Sequence, residues 1–208
     1  MVFEDFPNEV FIFDVDAPAE QQVISPIMLP PSYEGKISAV EFFGRFLAVV
    51  LRYTKEILFF GMNQCLDHQE KECKEVYRID SLMMDRLGVE YFAPLDVKTS
   101  DSHPSVLFIQ NIDRVIIVSF NLEGPHLLAQ IKSPASSVPG IYYWKMAFAT
   151  DHLIIVNPPN LIEEHRLSEL YTKRDAPLQR TYPVYNYVIP DNFDLDFSDQ
   201  GDLIYITA

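Results

Sequence analysis

Basic residues, cysteine and long apolar runs are all scarce in this chain, and each scarcity closes off a class of function. Sixteen Lys and Arg stand against 30 Asp and Glu in 208 residues, a formal charge of −14. That charge repels phosphate backbones and the anionic face of a membrane over about a Debye length, so nucleic acid is not an expected partner. The local basic cluster Lys173-Arg174 with Arg180 holds three charges and reads as a solvated loop. No apolar run reaches the ~18 residues of a membrane-spanning helix. Met1–Pro7 carries acidic residues and no positive n-region, so it does not read as a signal peptide. The five histidines, at 68, 103, 126, 152 and 165, are scattered, and no Gly-x-Ser-x-Gly, phosphate-cradling glycine loop or His-Glu-x-x-His motif is present. His152 falls in a corner, and His165, after Glu163-Glu164, is expected on an exposed strand. Catalysis therefore has little support.

What is present is apolar material in short pieces: 48% hydrophobic with 22% charged residues, enough for a sizeable core. Strand-length segments separated by turn residues run the whole length. Two are expected within Val10–Asp16 and Val23–Pro30. Four follow at Ile37–Phe43, Phe46–Tyr53, Glu56–Gly61 and Glu75–Ile79. Asp80–Leu87 reads as one helical turn or a connector, because Met83 and Met84 each find Leu87 at helical spacing and Asp80 or Ser81 can cap it. Further sets are expected at Phe92–Val97, Ser105–Gln110, Arg114–Asn121 and His126–Ile131, then at Ile141–Phe148, His152–Asn157, Leu161–Leu167 and Leu178–Val188, and finally at Asp194–Phe197 and Leu203–Thr207.

These sets recur. Leu47, Leu107, Leu153 and Leu203 lie 60, 46 and 50 residues apart, and Phe11, Ile57, Val115 and Ile162 lie 46, 58 and 47 apart. Four short strands per unit of roughly fifty residues is the signature of β-propeller blades. A β-sandwich or jelly roll also gives many short strands but needs no such recurrence. The fold expected is all-β, a propeller of four-stranded antiparallel blades with about four blade equivalents. The phase divides the chain into a half blade at 1–34, blades at 35–82, 83–138 and 139–190, and a half blade at 191–208. The halves either combine into a composite blade closing a four-bladed ring, or belong to an arc of a larger propeller; the arc is the favoured expectation.

The corner Asp199-Gln200-Gly201-Asp202 followed by Leu203-Ile204-Tyr205-Ile206-Thr207, with Phe11-Ile12-Phe13-Asp14-Val15, resembles the blades of the NHL, YWTD and WD40-like propeller group. The resemblance is generic. Trp144 is the only tryptophan, and neither a Gly-His to Trp-Asp pairing nor a kelch double glycine is present. It implies propeller architecture and a binding role, and transfers no catalytic residue. Propeller enzymes assemble sites from separate blades around a central channel, which keeps an enzyme among the alternatives.

Three groups of residues invite a site. Cys65 and Cys73 close the ends of a polar loop, where a disulfide, two free thiols, or a weak metal site with His68 are the readings; the disulfide, implying an oxidising compartment, is preferred over the metal, since Cys-x-x-Cys spacing is lacking. Asp191, Asp194, Asp196, Asp199 and Asp202 offer oxygen ligands for calcium, but their spacing departs from an EF-hand loop and reads as turn-forming Asp, so no cofactor is expected. Tyr182, Tyr185 and Tyr187, beside Pro183, form an aromatic stretch read either as packing or as anchors at a sheet edge that meet a partner. The expectation is a noncatalytic protein-interaction scaffold with protein partners, part of a larger extracellular or surface chain or assembly. The alternatives are an intracellular propeller scaffold in a multiprotein complex, and a propeller enzyme or lectin-like binder with a central-channel site.

Overall fold

A computed structural model gives the fold. It describes residues 9–13, 23–28, 37–62, 74–100, 102–121, 124–132, 145–149, 151–157, 161–170, 180–183, 194–197 and 204–207. Two compact units, Met1–Val97 and Lys98–Ala208, divide the chain.

In the first unit β1 (Glu9–Phe13) pairs antiparallel with β2 (Val23–Met28). Then β3 (Ile37–Phe43), β4 (Phe46–Leu51), β5 (Glu56–Gly61) and β6 (Glu75–Ile79) form a four-stranded antiparallel meander, each strand paired with the next. Leu47–Leu51 and Ile57–Phe60 are buried on both faces, while β3 and β6 are only partly covered. This is why the two middle strands read as continuous apolar runs: a strand covered above and below has no polar face to alternate. Gly44 opens the two-residue β3–β4 turn at φ 57, a backbone that glycine adopts without a Cβ clash.

After β6 comes α1 (Ser81–Arg86). The Asp80 carboxylate caps it, accepting from the Met83 N–H at 2.8 Å. Its other end is a Schellman motif. Val89 N–H donates to Met84 C=O at 2.9 Å and Gly88 N–H to Asp85 C=O at 2.9 Å, Gly88 takes φ 85, and the buried Val89 and Met84 supply the apolar pair this cap uses.

The second four-stranded sheet is β7 (Pro94–Thr99), β8 (Val106–Asn111), β9 (Arg114–Asn121) and β10 (Gly124–Lys132). The third is β11 (Lys145–Ala149), β12 (His152–Asn157), β13 (Leu161–Arg166) and β14 (Arg180–Pro183). A last pair, β15 (Asp194–Phe197) with β16 (Ile204–Thr207), follows. The core of the second unit joins Val106, Phe108, Val115, Ile117, Ala129 and Ile131 to Met146, Leu153, Ile155, Leu167 and Leu170. Phe108 and Phe148 meet edge to face at 4.6 Å. In β10 a bulge sets Leu127 opposite Val118 and Ala129 opposite Ile117, and the intervening Leu128 still packs on that core.

Strands in sets of two, four, four, four and two are those of a β-propeller of four-stranded blades. One short helix, α2 (Leu167–Leu170), replaces the end of an expected strand. Leu167 N–H bonds the Asp151 carbonyl at 2.8 Å and Ser168 Oγ donates to Asp151 Oδ2 at 3.0 Å. A single turn with two buried leucines three apart is too short to show a helical period.

Candidate protein interface

Register places three exposed apolar side chains at one end of the first four-stranded sheet. β4 ends at Leu51, the turn 52–55 follows, and β5 returns from Glu56, opposite Leu51. Ile79, the last residue of β6, pairs with Ile57, so α1 begins at that same end. The loop after α1 comes back onto the turn, because Lys55 Nζ lies 4.9 Å from the centre of the Tyr91 ring, a cation–π distance. Tyr53 is 71% exposed, Leu82 62% and Tyr91 46%. Arg52 and Arg86 are exposed beside them, as are Asp85 and Glu90. Tyr and Arg are residues that concentrate binding energy in protein interfaces, and Leu82 adds exposed apolar area beside them.

Further along the same sheet, aromatic and charged contacts tie its strands together. Phe59 meets Phe43 at 6.1 Å and Tyr77 at 6.0 Å, both edge to face. Tyr77 Oη donates to Met83 Sδ at 3.3 Å, tying β6 to α1. Burial, then the nearby Asp80 charge, raises the Tyr77 phenol above its ordinary value. Arg78 holds Glu75 through Nη2–Oε2 at 2.7 Å and Glu56 through Nη1–Oε1 at 2.8 Å.

A different arrangement occupies the second unit. Leu153 lies opposite His165 and Ile155 opposite Glu163, and directly opposed residues share a sheet face. Glu163 and His165 therefore stand on the face that carries Leu153 and Ile155 into the core. They are 4% and 2% exposed, a correction to the expected exposed strand. The charged triplet Glu163-Glu164-His165 suggested solvent, but period-two alternation turns 163 and 165 inward. His165 Nε2 is 3.8 Å from Glu163 Oε2, within ion-pair range but too long for a hydrogen bond. Among the described residues, Glu163 Oε2 and both His165 ring nitrogens have no hydrogen-bond partner. On the opposite face His152 Nε2 lies 3.4 Å from Glu164 Oε1.

In the second sheet, Asp113 is held by its neighbours. Arg114 Nε donates to its Oδ2 at 2.9 Å, Asn111 Nδ2 to its Oδ1 at 2.9 Å, and Arg114 Nη1 reaches Gln130 Oε1 at 2.8 Å. Burial pushes the Asp113 carboxyl up, but the hydrogen bonds from Arg114 and Asn111 and the Arg114 charge outweigh it, and the net shift is downward.

Of the residues singled out from sequence, Tyr182 lies in β14, opposite Ile162, with Pro183 closing the strand opposite Leu161. β14 is the last strand of its sheet, where a residue without an N–H is tolerated. Tyr185, Tyr187, Cys65, Cys73 and His68 lie outside the described residues. So do Asp191, Asp199 and Asp202, while Asp194 and Asp196 lie in β15. Among the described residues no three His, Cys, Asp or Glu side chains gather in a metal-holding group, and no helix is long and apolar enough to cross a membrane. Tyr53, Leu82 and Tyr91 were not singled out. Leu82 had a readable signal, since the residues three and four beyond it are Asp85 and Arg86, leaving it no apolar neighbour on its helix face.

No protein-family model matches the chain, and no curated protein does. Solved structures match its fold. The β-propeller domain of Cps50 (Swd1) from Myceliophteria thermophila superposes with a TM-score of 0.60 at 10% identity, over 96% of this chain and 56% of that one. Hsv2 from Kluyveromyces lactis gives 0.61 at 13%, over 96% and 51%. Hydrazine synthase from Kuenenia stuttgartiensis gives 0.62 at 11%, over 96% and 49%. The chain thus has a β-propeller fold and spans about half the length of these structures. One of them is named as an enzyme, a reminder that function has to be argued from the site.

Proposed function

We propose that this chain is a noncatalytic protein-interaction module of a larger extracellular or surface chain or assembly, and that it meets a protein partner through the end of the first four-stranded sheet. The observation that supports this reading is the gathering of Tyr53, Leu82 and Tyr91, all exposed, beside Arg52 and Arg86. The chemistry they fit is a protein segment bringing apolar side chains to the three anchors and carboxylates to the two arginines. Tyr182, Tyr185 and Tyr187 are proposed as a second contact, and Cys65 with Cys73 as the disulfide suited to an oxidising compartment.

A photo-crosslinking residue at position 82 tests the interface in extract from the native source. A discrete protein adduct is expected there, absent with the crosslinker at the exposed Lys132 and lost when Tyr53 and Tyr91 are changed to Ser. Equal adducts at 82 and 132 would remove the assignment. Alkylation of native material before and after reduction decides the compartment: labelling of Cys65 and Cys73 only after reduction supports the surface reading, and labelling without reduction favours the intracellular scaffold.

A further inference from the structure

The core shared by the second and third four-stranded sheets is built of apolar side chains, and Glu163 and His165 stand on a face directed into it. A carboxylate oxygen and two imidazole nitrogens with no hydrogen bond among the described residues are costly there, because each loses water and gains nothing in return. Direct contact is hindered by the backbone. Residues two apart on a strand lie about 6.6 Å apart and project side by side, and the side chains approach only to 3.8 Å. A metal ion would need more than these two ligands, and among the described residues no third His, Cys, Asp or Glu completes a set.

We propose that Glu163 and His165 form an internal hydration site, in which an ordered water molecule bridges Glu163 Oε2 and a ring nitrogen of His165. Water fits this donor set. A carboxylate only accepts, a neutral imidazole offers one donor and one acceptor, and water can donate to the carboxylate while accepting from, or donating to, the ring. A buried water holds its place when two to four polar groups surround it, and Glu163 Oε2 with one His165 ring nitrogen supplies two.

A high-resolution crystal structure of the 208-residue chain gives the first test. A solvent peak within about 3.2 Å of both Glu163 Oε2 and a His165 ring nitrogen is expected. Direct closure of the pair to hydrogen-bond distance, or an anomalous metal signal at that position, overturns the proposal. Equilibrium unfolding gives the second. E163L and H165L are each expected to lower the folding equilibrium constant about tenfold or more by stranding the other group. The double variant E163L/H165L is expected to regain the parent value or exceed it; a double variant as weak as the two losses combined refutes the coupling. Should a single leucine variant fail to fold, the isosteric E163Q takes its place. In the unmodified protein, magnetisation transfer between water and the His165 ring protons is expected, and its absence counts against the site.

Discussion

The first and third four-stranded sheets depart from the usual polar-out, apolar-in pattern in opposite directions. β3–β6 and the helix after it leave Tyr53, Leu82 and Tyr91 outside; β11–β14 takes Glu163 and His165 inside. Each departure has a physical cost, solvent-exposed apolar area in one and stripped hydration in the other. The costs differ in kind. An exposed side chain can be exchanged without disturbing the fold, whereas a buried polar one is enclosed by its neighbours, so the first suits recognition and the second belongs to the packing itself.

Substitution can break or sharpen that contrast. The largest loss is expected where the second unit packs most tightly. Phe108→Ala should cost about 3–5 kcal/mol, measured by denaturant unfolding. Next, Asp113→Ala removes the acceptor that the buried Asn111 amide and the Arg114 guanidinium share, for about 1–3 kcal/mol. The same carboxyl predicts an acid limit. Because its folded value is depressed, its contribution is fully present above the ordinary Asp value of roughly 4 and is lost as pH falls through the lower folded value; in Asp113→Asn that portion of the acid transition should vanish. Removing the helix cap by Asp80→Ala should cost about 1 kcal/mol and fall on the first unit. The smallest effect belongs to the outward departure. Tyr53→Ser, Leu82→Ser and Tyr91→Ser should each change stability by less than about 0.5 kcal/mol, while Tyr53→Ser combined with Tyr91→Ser abolishes the crosslink from position 82. A large stability loss there would mean that these side chains are structural, and the contrast between the sheets would fail.

The repeat was legible because it rests on what sequence displays best. Middle strands carry uninterrupted apolar runs such as Phe46–Leu51 and Val106–Ile109, and turns such as Gly44-Arg45 announce themselves. The helix cap was legible too, since Asp80 before Met83, Met84 and Leu87 is a local pattern. Inward-facing charge was not. Glu163-Glu164-His165 has the composition of a solvated edge, and only pairing with Leu153 and Ile155 reveals which two of the three turn inward. Likewise Tyr53 and Tyr91 lie 38 positions apart, and nothing local says that Lys55, two residues after Tyr53, reaches the Tyr91 ring.

Pairing each strand with its successor also sets an order of assembly. Hairpins such as β3–β4 close over two residues, whereas 13 positions separate β5 from β6, and 13 separate β13 from β14. By loop-closure entropy the longer connection is about 1.7 kcal/mol harder to close. The fourth strand of each of these sheets should therefore join last in folding and leave first under native conditions. Amide exchange would show this as early loss of protection in Glu75–Ile79 and Arg180–Pro183, with β4 and β12 holding their protons until the whole sheet opens.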